Sequence, residues 1–173
     1  MGKVFVWAAL TANFNIEPIY SQDIDLSEGE AFLSTDYINF NRGAYTFAIA
    51  IADDIHTIVS TVSLLNGQSV FNGSSAILVT AKEATHITAI YINPPNITGV
   101  KESDWAFLYE GTSLGKGNLI SKGLVQRDEA SGIVNIEIKP GQLKNGSMYH
   151  VCMSVGESSL FVSSAYVFKY LVI

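Results

Sequence analysis

Apolar and polar residues alternate along most of this chain with the two-residue period of half-buried strands. The clearest stretch is Ile133–Val155. Ile133, Val134, Ile136 and Ile138 stand among Asn135, Glu137 and Lys139, and Pro140-Gly141 then stops the ladder. A second strand runs through Val151, Met153 and Val155. Further strands are expected at Ala44–Ala52, Ile77–Thr80, Thr85–Ile92, Trp105–Glu110, Leu119–Ser121, Leu124–Gln126 and Leu160–Ile173, the last bent near Ser163-Ser164. Lys3–Leu10 is apolar on both faces, which suits a strand covered on both sides.

Other segments are less regular. Ile16–Tyr20 reads as a short extended piece fixed by Pro18, followed by an acidic loop from Gln22 to Glu30. Within it Ser27-x-x-Glu30 has the form of a capping box for one helical turn, which Gly29 opposes. Ile55–Leu65 carries a helical stripe at Ile55, Ile58, Val59, Val62 and Leu65. Its β-branched cluster Thr57, Ile58, Val59, Thr61 and Val62 opposes a helix and favours a strand. Asn66-Gly67 predicts a tight hairpin into Ser69–Phe71. Asn72–Ser75 predicts a linker, and Asn93-Pro94-Pro95-Asn96 a sharp break. No repeat of fixed period is visible.

From Ile77 onward this makes about seven short strands, the count of an immunoglobulin-like sandwich. The expected fold is all-β: an immunoglobulin-like β-sandwich over 76–173, preceded by a smaller β-rich part over 1–75. Leu143-Lys144-Asn145-Gly146-Ser147-Met148-Tyr149 puts a leucine six residues before a tyrosine with a turn dipeptide between. That arrangement resembles the tyrosine corner of immunoglobulin-like and fibronectin-type sandwiches. The resemblance implies that the Tyr149 hydroxyl bonds back to upstream backbone, with Leu143 and Gly146 shaping the corner. Trp105 would be the core tryptophan of the middle strand, although the paired cysteines of antibody domains are absent. Cys152 is the single cysteine, so no internal disulfide forms; in an apolar strand it reads as a small buried hydrophobe.

Composition narrows the class. The 173 residues are 48% hydrophobic and 15% charged, against about 25% charged in an average domain. That balance opposes disorder over most of the length. The low charge suggests surface covered by a neighbouring subunit, or strands that are simply rich in Val, Ile, Tyr and Phe. Net charge is −6, which argues against nucleic acid as a partner. Residues 1–87 hold three Lys/Arg and nine Asp/Glu, whereas 88–173 hold seven of each, in keeping with a two-part chain. The apolar run Val4–Leu10 is too short, and too poorly followed by a cleavage site, for a signal peptide. No run approaches the roughly 20 residues of a membrane span, so no membrane partner is expected.

Candidate chemistry is sparse. Gly111-Thr112-Ser113-Leu114-Gly115 matches the G-x-S-x-G elbow, with Asp128 and His150 in the required order. That chemistry needs a helix after the serine, and Lys116-Gly117-Asn118 does not start one readily. The same segment fails as a phosphate loop on spacing. Asp23-x-Asp25-x-Ser27 opens like a calcium loop but has Glu28 and Ser34 where glycine and a bidentate glutamate belong. His56, His86 and His150 are scattered, and Asp53-Asp54 reads as a turn. Asn72, Asn96 and Asn145 head N-x-Ser/Thr sequons. No catalytic, cofactor or metal residues are expected.

Acidic, glycine- and asparagine-rich, with one cysteine and no catalytic set, the chain resembles the small two-part β proteins that decorate tailed-bacteriophage heads. The resemblance implies a structural virion protein located in the virion. Its partners would be the major capsid protein, other virion subunits or copies of itself, with residues 1–75 attaching and the sandwich displayed. The alternative is a carbohydrate-binding or adhesive β-sandwich module built on exposed aromatic rings; an enzyme comes third.

Overall fold

A computed structural model describes residues 1–27, 32–33, 38–99, 103–113, 117–155 and 161–171. The fold is all-β. In chain order the elements are β1 (Gly2–Trp7), β2 (Ala12–Asn13), β3 (Tyr20–Ile24), β4 (Ala44–Ala50), a 3-10 turn (Ile55–Thr57), β5 (Ile58–Leu65), β6 (Gln68–Ser74) and β7 (Ala76–Lys82). They continue with β8 (His86–Ile92), β9 (Ile97–Thr98), β10 (Asp104–Glu110), β11 (Leu119–Val125), β12 (Ser131–Glu137), β13 (Met148–Ser154) and β14 (Val162–Lys169). Two compact units result, Met1–Ser74 with Pro94–Lys101, and Ser75–Asn93 with Glu102–Ile173. The expected division at 75/76 treated both parts as continuous; 94–101 in fact returns to the first unit, because β9 pairs with β2 in parallel.

In the first unit an antiparallel sheet of order β3-β1-β4-β5-β6 is apolar on both faces. Val4, Val6 and Ile24 pack with Leu33, Phe40, Tyr45 and Phe47 on one side. Phe5, Trp7, Ala48, Ala50 and Ile58 pack with Ala12, Phe14 and Ile97 on the other. The continuous apolar run of β1 follows from this, since both of its faces are covered. Asn66 and Gly67 have φ of 51° and 79°, the left-handed pair that a two-residue hairpin between β5 and β6 requires.

Several expectations in this unit need correction. Gln22–Ile24, expected to begin an acidic loop, belongs instead to the edge strand β3, which starts at Tyr20 and pairs from Gly2↔Ile24 to Val6↔Tyr20. Backbone pairing at an edge needs no apolar side chain, so Ser21, Gln22 and Asp23 carry no strand signal. Residues 28–30 of the expected capping box lie outside the described residues. Ile55–Leu65 opens with a 3-10 turn, capped where Asp54 Oδ1 accepts from His56 N at 2.8 Å, before the expected strand begins. The expected linker Asn72–Ser75 is strand as far as Ser74.

The second unit holds two antiparallel sheets, β11-β10-β13-β14 and β12-β8-β7. Their facing sides share one core of Ile77, Val79, Ile87, Ala89, Tyr91, Ala106, Leu108, Val125, Val134, Ile136, Leu143, Tyr149, Val151, Met153 and Phe168. This is a two-layer β-sandwich of seven strands. The two short strands expected at 119–121 and 124–126 are the single strand β11. Lys122-Gly123 interrupts the apolar pattern without interrupting the ladder, in which they pair with Phe107 and Ala106, and the Lys122 ammonium sits 3.7 Å from the centre of the Trp105 ring.

Trp105 also departs from expectation. Ala106 and Leu108 point into the sandwich core, so by strand alternation Trp105, Phe107 and Tyr109 occupy the opposite face of β10. There they cluster with Cys152, Val162 and Ala165, and Trp105 is half-buried. The Asp104–Arg127 ion pair, at 3.5 Å, is buried to side-chain exposures of 2% and 1%. Asn93 Nδ2 donates to Gln126 O and Glu129 O, tying the end of β8 to the β11–β12 loop.

Candidate functional site

The corner is built as a closed set of bonds. The Tyr149 hydroxyl accepts the Lys144 N–H at 2.7 Å, and Leu143 is buried in the same core. Gly146, at φ 83°, donates its N–H to Tyr170 O at 2.8 Å, while Tyr170 N–H donates to Ser147 O at 3.0 Å. The Tyr149 ring is flanked by Phe168 and by an edge-on Tyr170. These residues fix the turn into β13; none of them presents chemistry to solvent.

The other candidates stand apart. Gly111 to Ser113 are bends after β10, and residues 114–115 of the elbow pattern lie outside the described residues. His150 is fully buried, its ring stacked on Tyr109 and its Nδ1 2.8 Å from Gly111 O, whereas Ser113 and Asp128 are exposed. Asp23 faces Lys3 at 3.6 Å, and Lys3 is also bonded to Asp53; that bond and the two carboxylate charges hold the ammonium above its ordinary range. Asp25 accepts Ser27 N–H at 2.9 Å and Ser27 Oγ–H at 2.7 Å, which lowers its carboxyl. Asp53 thus joins an ion pair and Asp54 caps the 3-10 turn. Among the described residues no group of three or more His, Cys, Asp or Glu could hold a metal ion, and no helix is long and apolar enough to cross a membrane.

What the structure adds is surface. On the outer side of the three-stranded sheet Leu78, Ile90 and Ile133 lie in register across β7, β8 and β12, with Ile92 beside them. Ile133 is 66% exposed and the other three between 41% and 49%. Toward the other end of that unit, Thr85, His86, Asn135, Glu137 and Ile138 line a depression of about 430 Å³. There His86 Nε2 lies 3.5 Å from Glu83 Oε1, and Thr88 Oγ1–H donates to Asn135 Oδ1 at 2.9 Å.

The apolar row carries a signal in the sequence. Ile77-Leu78-Val79, Ile90-Tyr91-Ile92 and Ile133-Val134 are consecutive apolar residues in strands that need only one apolar face. The geometry defines a two-unit all-β protein whose distinctive feature is bare apolar sheet. No protein-family model, curated protein or solved structure matches the chain.

Proposed function

We propose that the chain is a structural virion protein, an auxiliary or decoration subunit that binds the outside of a tailed-bacteriophage capsid and stabilises it. The observation that carries this reading is the exposed row Leu78–Ile90–Ile133 with Ile92. Four large aliphatic side chains held side by side on one sheet face lose free energy by leaving water, at about 25 cal/mol per Å². A rigid sheet presents them at no cost in loop ordering. We place attachment on the three-stranded sheet and not on residues 1–75, because its exposed aliphatic residues lie side by side in register, whereas β1 of the first unit's sheet is packed on both faces.

Particles purified from the native source test it. The chain should co-sediment with them at fixed stoichiometry, and Ile133→Lys should release it while leaving its fold intact. Absence from washed particles refutes the reading.

The second reading, an immunoglobulin-like carbohydrate-binding or adhesive module, draws on the depression around Asn135 and Glu137, whose polar groups suit hydroxyl-rich ligands. Among the described lining residues Thr85, His86, Asn135, Glu137 and Ile138 there is no Trp, Tyr or Phe, the broad rings on which a sugar face stacks best. Glycan binding abolished by Asn135→Ala would favour it over the first.

A further inference from the structure

Residues 55–81 contain no Asp, Glu, Lys or Arg, in a chain of net charge −6. The structure folds residues 58–74 of that run into the β5–β6 hairpin at one margin of the five-stranded sheet. The two margins of this sheet differ. At β3 the edge carries Asp23, with Asp25 just beyond it and Lys3 and Asp53 alongside. Charges of this kind are how edge strands are kept from pairing with other chains. At β6 there are none. Gln68–Ser74 is a seven-residue strand without charge or proline, exposed at every position but Gly73. Among the described residues no backbone hydrogen bond leads outward from Gln68–Asn72. The exposed apolar residues of this margin gather on the same hairpin: Val62, Leu65, Val70 and Phe71 are 37–48% exposed.

We propose that β6 is a self-association edge, at which two copies of this chain pair their β6 strands antiparallel across a two-fold axis and join two five-stranded sheets into one of ten strands. Charge selects the occupant. Two copies of a −6 chain repel wherever carboxylates meet, and this hairpin lets them approach with none opposed. The strand is also its own complement. An axis at Phe71 sets Phe71 against Phe71 and Val70 against Asn72, neutral pairs throughout, with Val70 the extra residue that the register shift between Ser63 and Leu64 leaves on β6. The contact is separate from the apolar row of the second unit and does not depend on the virion reading.

Sedimentation equilibrium of the full chain from about 1 μM to about 1 mM, the range in which a contact of one strand pair would dissociate, tests this. The mass should double with concentration. Phe71→Lys, which brings two ammonium groups together at the axis, should hold the chain monomeric, whereas Ile133→Lys should dimerise like the wild type. Hydrogen exchange supplies a readout independent of any substitution: amides of Val70–Asn72 should gain protection at high concentration and lose it on dilution. A wild-type chain that stays monomeric over the whole range overturns the proposal. So does a dimer that survives Phe71→Lys with the β6 amides unprotected.

Discussion

Tyr149→Phe removes one oxygen and leaves the ring, so it isolates the corner's hydrogen bond. The ring keeps its contacts with Phe168 and Tyr170, and Tyr149 is 1% exposed, so no water replaces the lost hydroxyl inside the core. The Lys144 N–H loses an acceptor 2.7 Å away. A neutral hydrogen bond is worth about 1 kcal/mol net, and a partner left without one adds to that, so the loss should be about 1.5 kcal/mol. Leu143→Ala tests the packing half of the corner and should cost more, about 3 kcal/mol, since it empties a buried leucine site. Both are measured by urea denaturation in a Trp7→Phe background. Trp105 is then the one remaining indole and reports the sandwich. With a urea slope of about 1.5 kcal/mol per M, Tyr149→Phe should lower the midpoint by about 1 M and Leu143→Ala by about 2 M, with the slope unchanged. A Tyr149→Phe midpoint indistinguishable from the parent would show that the hydroxyl bond holds nothing. A Leu143→Ala loss smaller than that of Tyr149→Phe would reverse the assigned balance between packing and hydrogen bonding.

Three further outcomes follow from the second unit. Asp104→Asn removes the carboxylate charge facing buried Arg127 and should cost about 3 kcal/mol, while Asp104→Leu combined with Arg127→Met should recover most of it; thermal denaturation of the three chains checks the order. Gly132→Ala places a methyl group into the buried ring of Tyr91, the residue directly opposite on β8, and should destabilise by about 2 kcal/mol in the same urea assay. Burial pushes the Tyr91 phenol up from its ordinary value near 10, against a Gln126 N–H that favours the phenolate. A group whose folded pKa is raised stabilises fully below its unfolded pKa. Stability should therefore hold up to about pH 10 and fall as pH rises from there through the folded value. Stability against pH, compared between the wild type and Tyr91→Phe, should show a shallower alkaline decline in the variant.

The fold was legible where burial is one-sided or a turn needs a particular residue. Ile87, Ala89 and Tyr91 alternate because one face of β8 meets the core, and Asn66-Gly67 marks its hairpin because two left-handed residues are needed there. Legibility failed where backbone alone made the structure. β3 pairs through Ser21, Gln22 and Asp23, whose side chains say loop, and β2 and β9 are two-residue strands whose pairing spans more than eighty positions. Trp105 failed for a different reason. Both faces of β10 are apolar, so parity could not be read from hydrophobicity, and the face was decided by Ala106 and Leu108.

Function was less legible for a physical reason. A catalytic or metal site needs few residue types at fixed offsets, whereas a contact surface needs only area, flatness and the absence of opposing charge. Ile133 reads the same as Val134 in sequence, yet one is 66% exposed and the other 2%. Only the sheet register brings Ile133 beside Ile90 and Leu78, and only the strand order leaves β6 at a margin. The two bare surfaces also differ in what they can grip. A sheet face offers side chains alone and accepts any apolar partner of matching shape. A free edge offers backbone donors and acceptors and accepts only another extended strand. A chain using both could join its own copies along one and a foreign surface through the other. Ile133→Lys and Phe71→Lys should therefore fail in different assays, the first losing particles and keeping dimers, the second the reverse; loss of both functions in either variant would mean one shared surface and would sink the division.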